Sequence, residues 1–297
     1  MPFKVTPSKQ ILLSFFLVIV PTWCVARTIH DCDIYAASSL DHKRIGQGLS
    51  PDQIDPKKAI PACLDAVSNF PGDDQLAFQL GRSYYADKNY IEAKRWYEKS
   101  AAQGNVLAIN NLGAIYVDGL GGDKDEFKGF TLIKEAADGG LDIAQNTVGY
   151  LFKQGIGTQK DYAKAFTYYK LAADKGNAAA QRAVGISYKY GEGVAKDYKR
   201  AFEYLLRSAE QGYTLAEVDT AYAYSQGEGV SKDPKKAFDF YQRAASKGNQ
   251  LAKANIGWMY LGNGINKNYI LAATYLRQSL EIVGSQVNLG WLYETGN

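Results

Sequence analysis

Residues 180–212 read AQRAVGISYKYGEGVAKDYKRAFEYLLRSAEQG, and residues 144–176 and 216–248 repeat them almost position for position. The stretch decides the fold. It closes on Gly212, and six glycines, Gly104, Gly140, Gly176, Gly212, Gly248 and Gly284, stand 36 residues apart without a slip. A fixed period of this size marks stacked helix–turn–helix units, none of which can bury its apolar face alone. Such an array offers a long surface rather than a deep pocket, so the pattern predicts a binding protein.

Within the stretch the apolar spacing is helical. A Leu/Val/Ile-Gly pair carries Gly81, Gly113, Gly149, Gly185, Gly257 and Gly290, with Ala221 taking the glycine's place in the fifth unit. Five residues earlier stands Ala108, Ala144, Ala180, Ala216 or Ala252; three residues later stands an aromatic, from Tyr84 and Tyr116 through Tyr260 and Tyr293. These offsets share one side of an α-helix and describe its packed stripe. Gly191-Glu192-Gly193 then ends the first helix, glycine accepting the left-handed backbone that a helix C-terminus often needs. Lys-Asp pairs at 124–125, 160–161, 196–197 and 232–233 open the second helix, each Asp an N-cap. Pro234 directly after Asp233 suits the first helical position.

The ends depart from the pattern. Asp55-Pro56-Lys57-Lys58-Ala59 repeats residues 233–237 letter for letter, so a second-type helix is expected from near Pro56, with Cys63 on its packed face. The unit at 75–104 turns through Asp87-Lys88-Asn89 and is four residues shorter, while the sixth unit is displaced by one residue between Gly262 and Val283. The chain divides into a signal peptide at 1–26, a helical cap at 27–74, and about six tandem repeats at 75–297, the last incomplete.

Lys4 and Lys9 precede an apolar run from Ile11 to Val20, and Cys24-Val25-Ala26 offers a cleavage site before Arg27. Ten helical residues cover about 15 Å, half of a ~30 Å hydrocarbon core, so no stable membrane insertion is expected after cleavage. The alternative is a retained anchor that borrows Pro21 to Val25. Export, with the bacterial periplasm as destination, is the expectation. Beyond residue 26 the chain holds 32 basic and 31 acidic groups, which gives no field to draw nucleic acid. Cys32 and Cys63 are then an even pair in an oxidising compartment and are expected to form a disulfide, two buried free thiols being the alternative. Closing that loop is worth roughly 3–4 kcal/mol in the chain-entropy treatment.

The repeated residues resemble the Sel1-like repeat (SLR) family, a relative of the tetratricopeptide repeat. Its pattern, A-x3-LG-x2-Y-x2-G-x-GV-x2-D-x3-A-x2-YY-x2-AA-x2-G, is nearly spelled out at 144–176, 180–212 and 216–248. The resemblance implies an all-α, right-handed superhelical α-solenoid of stacked antiparallel helix pairs that serves as an adaptor or scaffold. Segment 31–80 resembles an N-terminal extension of exported bacterial members. Cysteine-rich members linked to penicillin binding are a poor match, since no cysteine follows Cys63.

Catalysis finds little support. The two histidines, His30 and His42, precede the first full unit, and no G-x-S-x-G, H-E-x-x-H or C-x-x-C motif occurs. Ser38, Ser39 and His42 have no third partner in view. The Gly-Glu-Gly turns lack the Lys-Ser/Thr that would grip phosphate. No cofactor and no metal site are expected, and the protein is not expected to be an enzyme. Away from the packed stripe, the residue just after each repeat glycine forms a column: Arg82, Ala114, Tyr150, Ile186, Tyr222, Trp258, Trp291. Beside it runs a small, polar column that includes Asn111 and Asn255. The expected site is a concave groove with Tyr150, Tyr222, Trp258 and Trp291 as anchors and Asn111 and Asn255 as hydrogen-bonding groups, suited to a protein or peptide segment. The competing explanation is that these aromatics fill gaps between units. The functional alternatives to an exported interaction scaffold are an envelope enzyme or β-lactam-interacting protein, and a purely structural assembly factor.

Overall fold

The computed structural model describes residues 29–41, 48–262 and 264–295. The expected signal peptide, its cleavage site and His42 lie outside them. The fold is an all-α solenoid of stacked helix pairs. Among the described residues there are fifteen α-helices, one short 3-10 turn at Pro51–Gln53, and no strand. After α1 (Asp31–Ala36) and α2 (Pro56–Asn69), first and second helices alternate. The first helices are α3 (Asp74–Ala86), α5 (Val106–Asp118), α7 (Asp142–Gln154), α9 (Ala178–Tyr190), α11 (Thr214–Gln226), α13 (Gln250–Tyr260) and α15 (Val283–Glu294). The second helices are α4 (Tyr90–Ala101), α6 (Glu126–Asp138), α8 (Tyr162–Asp174), α10 (Tyr198–Glu210), α12 (Pro234–Ser246) and α14 (Tyr269–Arg277). Each helix packs mainly on its neighbours in sequence.

The stripe is buried as its spacing requires. Leu80, Leu112, Val148, Val184, Thr220, Ile256 and Leu289, the residues before the repeat glycine or Ala221, are all buried. The glycine lets the second helix close in: a methyl on Gly149 would fall 2.6 Å from the Tyr169 ring, and one on Gly185 2.8 Å from Leu205. An aromatic ladder joins the units. Tyr188 of α9 meets Phe166 of the preceding second helix edge-on at 5.3 Å and stacks on Tyr204 of its own partner at 5.9 Å. Phe152, Tyr224 and Tyr260 repeat both contacts. Each pair adds about 0.5–1.5 kcal/mol beyond burial.

The double-glycine turn does two jobs. Gly191 caps α9 at φ 76, and Gly193, at φ 73, lies against the backbone of Tyr162 in the preceding unit, where any side chain would overlap that carbonyl. The turn therefore ends a helix and sets the unit spacing. Asp125, Asp161, Asp197 and Asp233 accept backbone N–H groups at the starts of α6, α8, α10 and α12. The short unit turns through Lys88, whose φ is 61, as its missing glycines demand.

One expectation needs correcting. Five of the six 36-spaced glycines, Gly104 through Gly248, sit in left-handed turns, but Gly284 lies inside α15. The displaced sixth unit starts its last helix at Val283, so the periodic position falls within that helix. In the cap, α2 starts at Pro56 with Asp55 as N-cap, and Cys32 and Cys63 are joined in a disulfide. No helix among the described residues is long and apolar enough to cross a membrane.

Candidate functional site

The column after the repeat glycine changes character along the molecule. Tyr150, Tyr222, Trp258 and Trp291 are 49%, 41%, 41% and 45% exposed, while Ala114 and Ile186 are half-buried. Rings of this size held in water by a packed scaffold are the residue type that dominates binding hot spots. Tyr222 is braced: the Lys189 ammonium lies 4.4 Å from its ring centre and 2.7 Å from Glu228. Burial works against the charge of Lys189, but the hydrogen bond and charge of Glu228, with Tyr190 and Tyr222, hold its pKa above the usual lysine value. Lys153–Glu192, one unit earlier, repeats the pair at 2.6 Å, and Arg182–Asp219 closes at 2.6 Å across α9 and α11.

The last three first helices enclose a cleft of ≈ 320 Å³, bordered by Tyr222, Trp258, Asn255, Asn288, Gln226 and Ser285 over Leu251, Ala254, Met259 and Ile282. None of its lining residues is charged. Tyr241 reaches its floor from α12, and burial pushes that phenol well above its usual range, so it stays neutral. The structure thus brings Tyr222, Trp258 and Asn255 together at one cleft. Tyr150 stands apart on α7, and Trp291 on α15 packs its ring against Tyr269 at 6.1 Å.

Asn111 stands elsewhere. It donates to the Tyr97 hydroxyl at 3.4 Å and lines a separate ≈ 160 Å³ recess with Pro51, Arg82, Tyr85, Tyr97 and Ala114. That end of the face is covered by the chain itself. Arg82, at 4% exposure, donates to the carbonyls of Ala36 at 2.5 Å and Leu49 at 2.6 Å. Burial lowers its pKa, offset in part by Tyr97 and Asp41, but a guanidinium remains charged. Leu49 N–H donates to Ala37, and Ser38 pairs with Leu49, so residues 37–41 and 48–51 form a strap over α3. Gln79, also fully buried, donates to Asp33 of α1. The sequence column places Arg82 on the open face; the structure shows it clamping the cap together with Gln79, a use that no side-chain pattern signals.

His30 packs edge-on against Phe70 at 5.0 Å, and the Ser38 hydroxyl accepts from Leu40 N–H. Among the described residues no three His, Cys, Asp or Glu side chains gather into a set that holds a metal ion.

The Sel1 repeat profile matches residues 72–105, 106–141, 142–177, 178–213, 214–249, 250–281 and 283–297, which is nearly everything after the cap. The chain belongs to the Sel1 repeat family. A Sel1 repeat protein from Oxalobacter formigenes is similar to 75% of this chain over 92% of its own, at 30% identity and TM-score 0.68. A protective antigen present in uropathogenic Escherichia coli strains, displaying an SLR fold, is similar over 80% of this chain and 52% of its own, at 28% identity and TM-score 0.72. This Sel1 repeat chain therefore spans about half the length of that antigen. The Cut9–Hcn1 assembly of the APC/C, 16% identical at TM-score 0.55, shares the fold alone. Among curated protein sequences, none matches the chain. Sel1 and tetratricopeptide-like repeat proteins are commonly protein–protein interaction scaffolds.

Proposed function

We propose that this Sel1 repeat protein is an exported, non-enzymatic adaptor that holds an extended segment of a partner protein along the concave face of its first helices. The observation that carries the reading is the cleft at α11, α13 and α15, where two half-exposed rings, Tyr222 and Trp258, flank the Asn255 amide. Aromatic anchors supply apolar area at little entropic cost, and amides pair with a partner's backbone. Tyr150 and Trp291 extend the contact to either side, and Asn111 lies at the strapped end. Export rests on Lys4, Lys9 and the apolar run from Ile11 to Val20, with the periplasm as the destination.

A photo-crosslinking residue placed at 222 or 258 tests the binding face. The expected result is the same adduct from both positions and none from 127, an exposed position on α6. Adducts of equal yield at all three would overturn the reading. Mass analysis of the mature protein checks export, with Arg27 expected as its first residue.

A further inference from the structure

We infer that the cleft between Tyr222 and Trp258 is an anchor pocket for one uncharged, apolar side chain of an extended partner segment. The inference rests on the adaptor reading above and specifies what the partner presents.

Charge decides the first half of it. Every residue around the cleft is neutral, and beside the Tyr241 phenol its lining includes the apolar side chains of Leu251, Ala254, Met259 and Ile282. The nearby charges on the same helix face are already paired, Lys189 with Glu228 and Arg182 with Asp219. A guest carboxylate or ammonium would lose its water and gain no counter-ion. An aliphatic or aromatic side chain loses nothing and is gripped between two rings. A sugar would set part of its hydroxyls against the buried Ala254 and Met259, so that part of the lining favours a side chain. At ≈ 320 Å³ the cleft is at the small end of ligand sites, which run from about 300 to 1,000 Å³. That size suits one side chain with its flanking backbone.

The other end of the same face shows how such a backbone is held. There the strap lies on α3 with the Leu49 carbonyl on Arg82, beside that of Ala36 from the end of α1, at the column position that Tyr222 and Trp258 occupy later. The first-helix face already carries a short piece of non-helical backbone around Leu49, supplied by the chain itself. At the open end Asn255 and Asn288, on successive first helices, border the cleft; Asn255 gives one N–H to the Leu251 carbonyl at 2.9 Å, which leaves its own carbonyl and second N–H for a guest backbone.

Selection of random displayed dodecapeptides on the immobilised full chain tests this. Enriched peptides are expected to share one Leu, Ile, Met, Phe or Trp with uncharged neighbours. Trp258→Ala is expected to weaken a synthetic winner at least tenfold, and Phe127→Ala to leave it unchanged. Asn255→Asp, which alters charge with little change of shape, guards against misfolding; it is expected to cost at least tenfold and to shift a repeat selection towards Lys or Arg. Winners with a charged anchor, or winners lost in Tyr150→Ala but kept in Trp258→Ala and Asn255→Asp, would overturn the pocket and leave the adaptor standing. No enrichment at all would overturn both. Chito-oligosaccharides that quench Trp258 fluorescence, and that no peptide displaces, would overturn the side-chain assignment.

Discussion

At the scale of single residues, position 217 shows how one unit solves a problem that its neighbours solve differently. Gln181 and Gln145, one and two units earlier, donate their side-chain N–H to the carbonyls of Ala173 and Ala137. Glu217 is fully buried and cannot donate, so Arg243 supplies that bond to Ala209, while Arg243 and Lys247 neutralise the carboxylate at 2.9 and 2.8 Å. Glu217→Gln should reproduce the neighbouring units' solution and change stability by less than about 1 kcal/mol. The double variant Arg243→Ala/Lys247→Ala strands a buried carboxylate and should cost about 3 kcal/mol or more. Urea denaturation of both variants checks the asymmetry, and equal losses would refute it. The stripe of Val184 or Ile256 was legible because helix geometry repeats its offsets. The ion pair was not, because residues 217 and 247 are 30 apart in sequence and meet only when α11 and α12 fold against each other.

At the scale of elements, caps rather than propensity fix the boundaries. Asp197 accepts the Arg200 N–H at 3.0 Å and opens a helix whose first residues are Tyr, Lys and Arg. Asp197→Ala should lower stability by about 1 kcal/mol, read as a shift in denaturation midpoint with α10 still formed by amide exchange. An unchanged midpoint would mean that packing alone sets that end. The four Lys-Asp signals were readable in the sequence because a cap acts within three residues. The caps of the first helices were harder to see. Asn105, Asn177 and Asn249 hold α5, α9 and α13, but Leu141 and Tyr213 stand at the equivalent places without a side-chain bond. Segments 37–41 and 48–51 were least legible, since the contact of Leu49 with Arg82 is made by a carbonyl that every residue possesses.

At the scale of the whole molecule, the contacts run between neighbouring helices, so stability is close to a sum of unit and interface terms. The disulfide belongs to the cap, and its loss should be felt there. Cys32→Ser should remove roughly 3–4 kcal/mol and speed amide exchange in α1, α2 and the strap while α9 to α12 keep their protection. Uniform acceleration from α1 to α12 would instead mark one cooperative block. Arg82 gives this layout a last consequence. By fastening the chain's own Leu49 across the α3 terminus of the shared face, it makes the two ends of that face unlike, one occupied by the protein itself and the other left open around Tyr222 and Trp258.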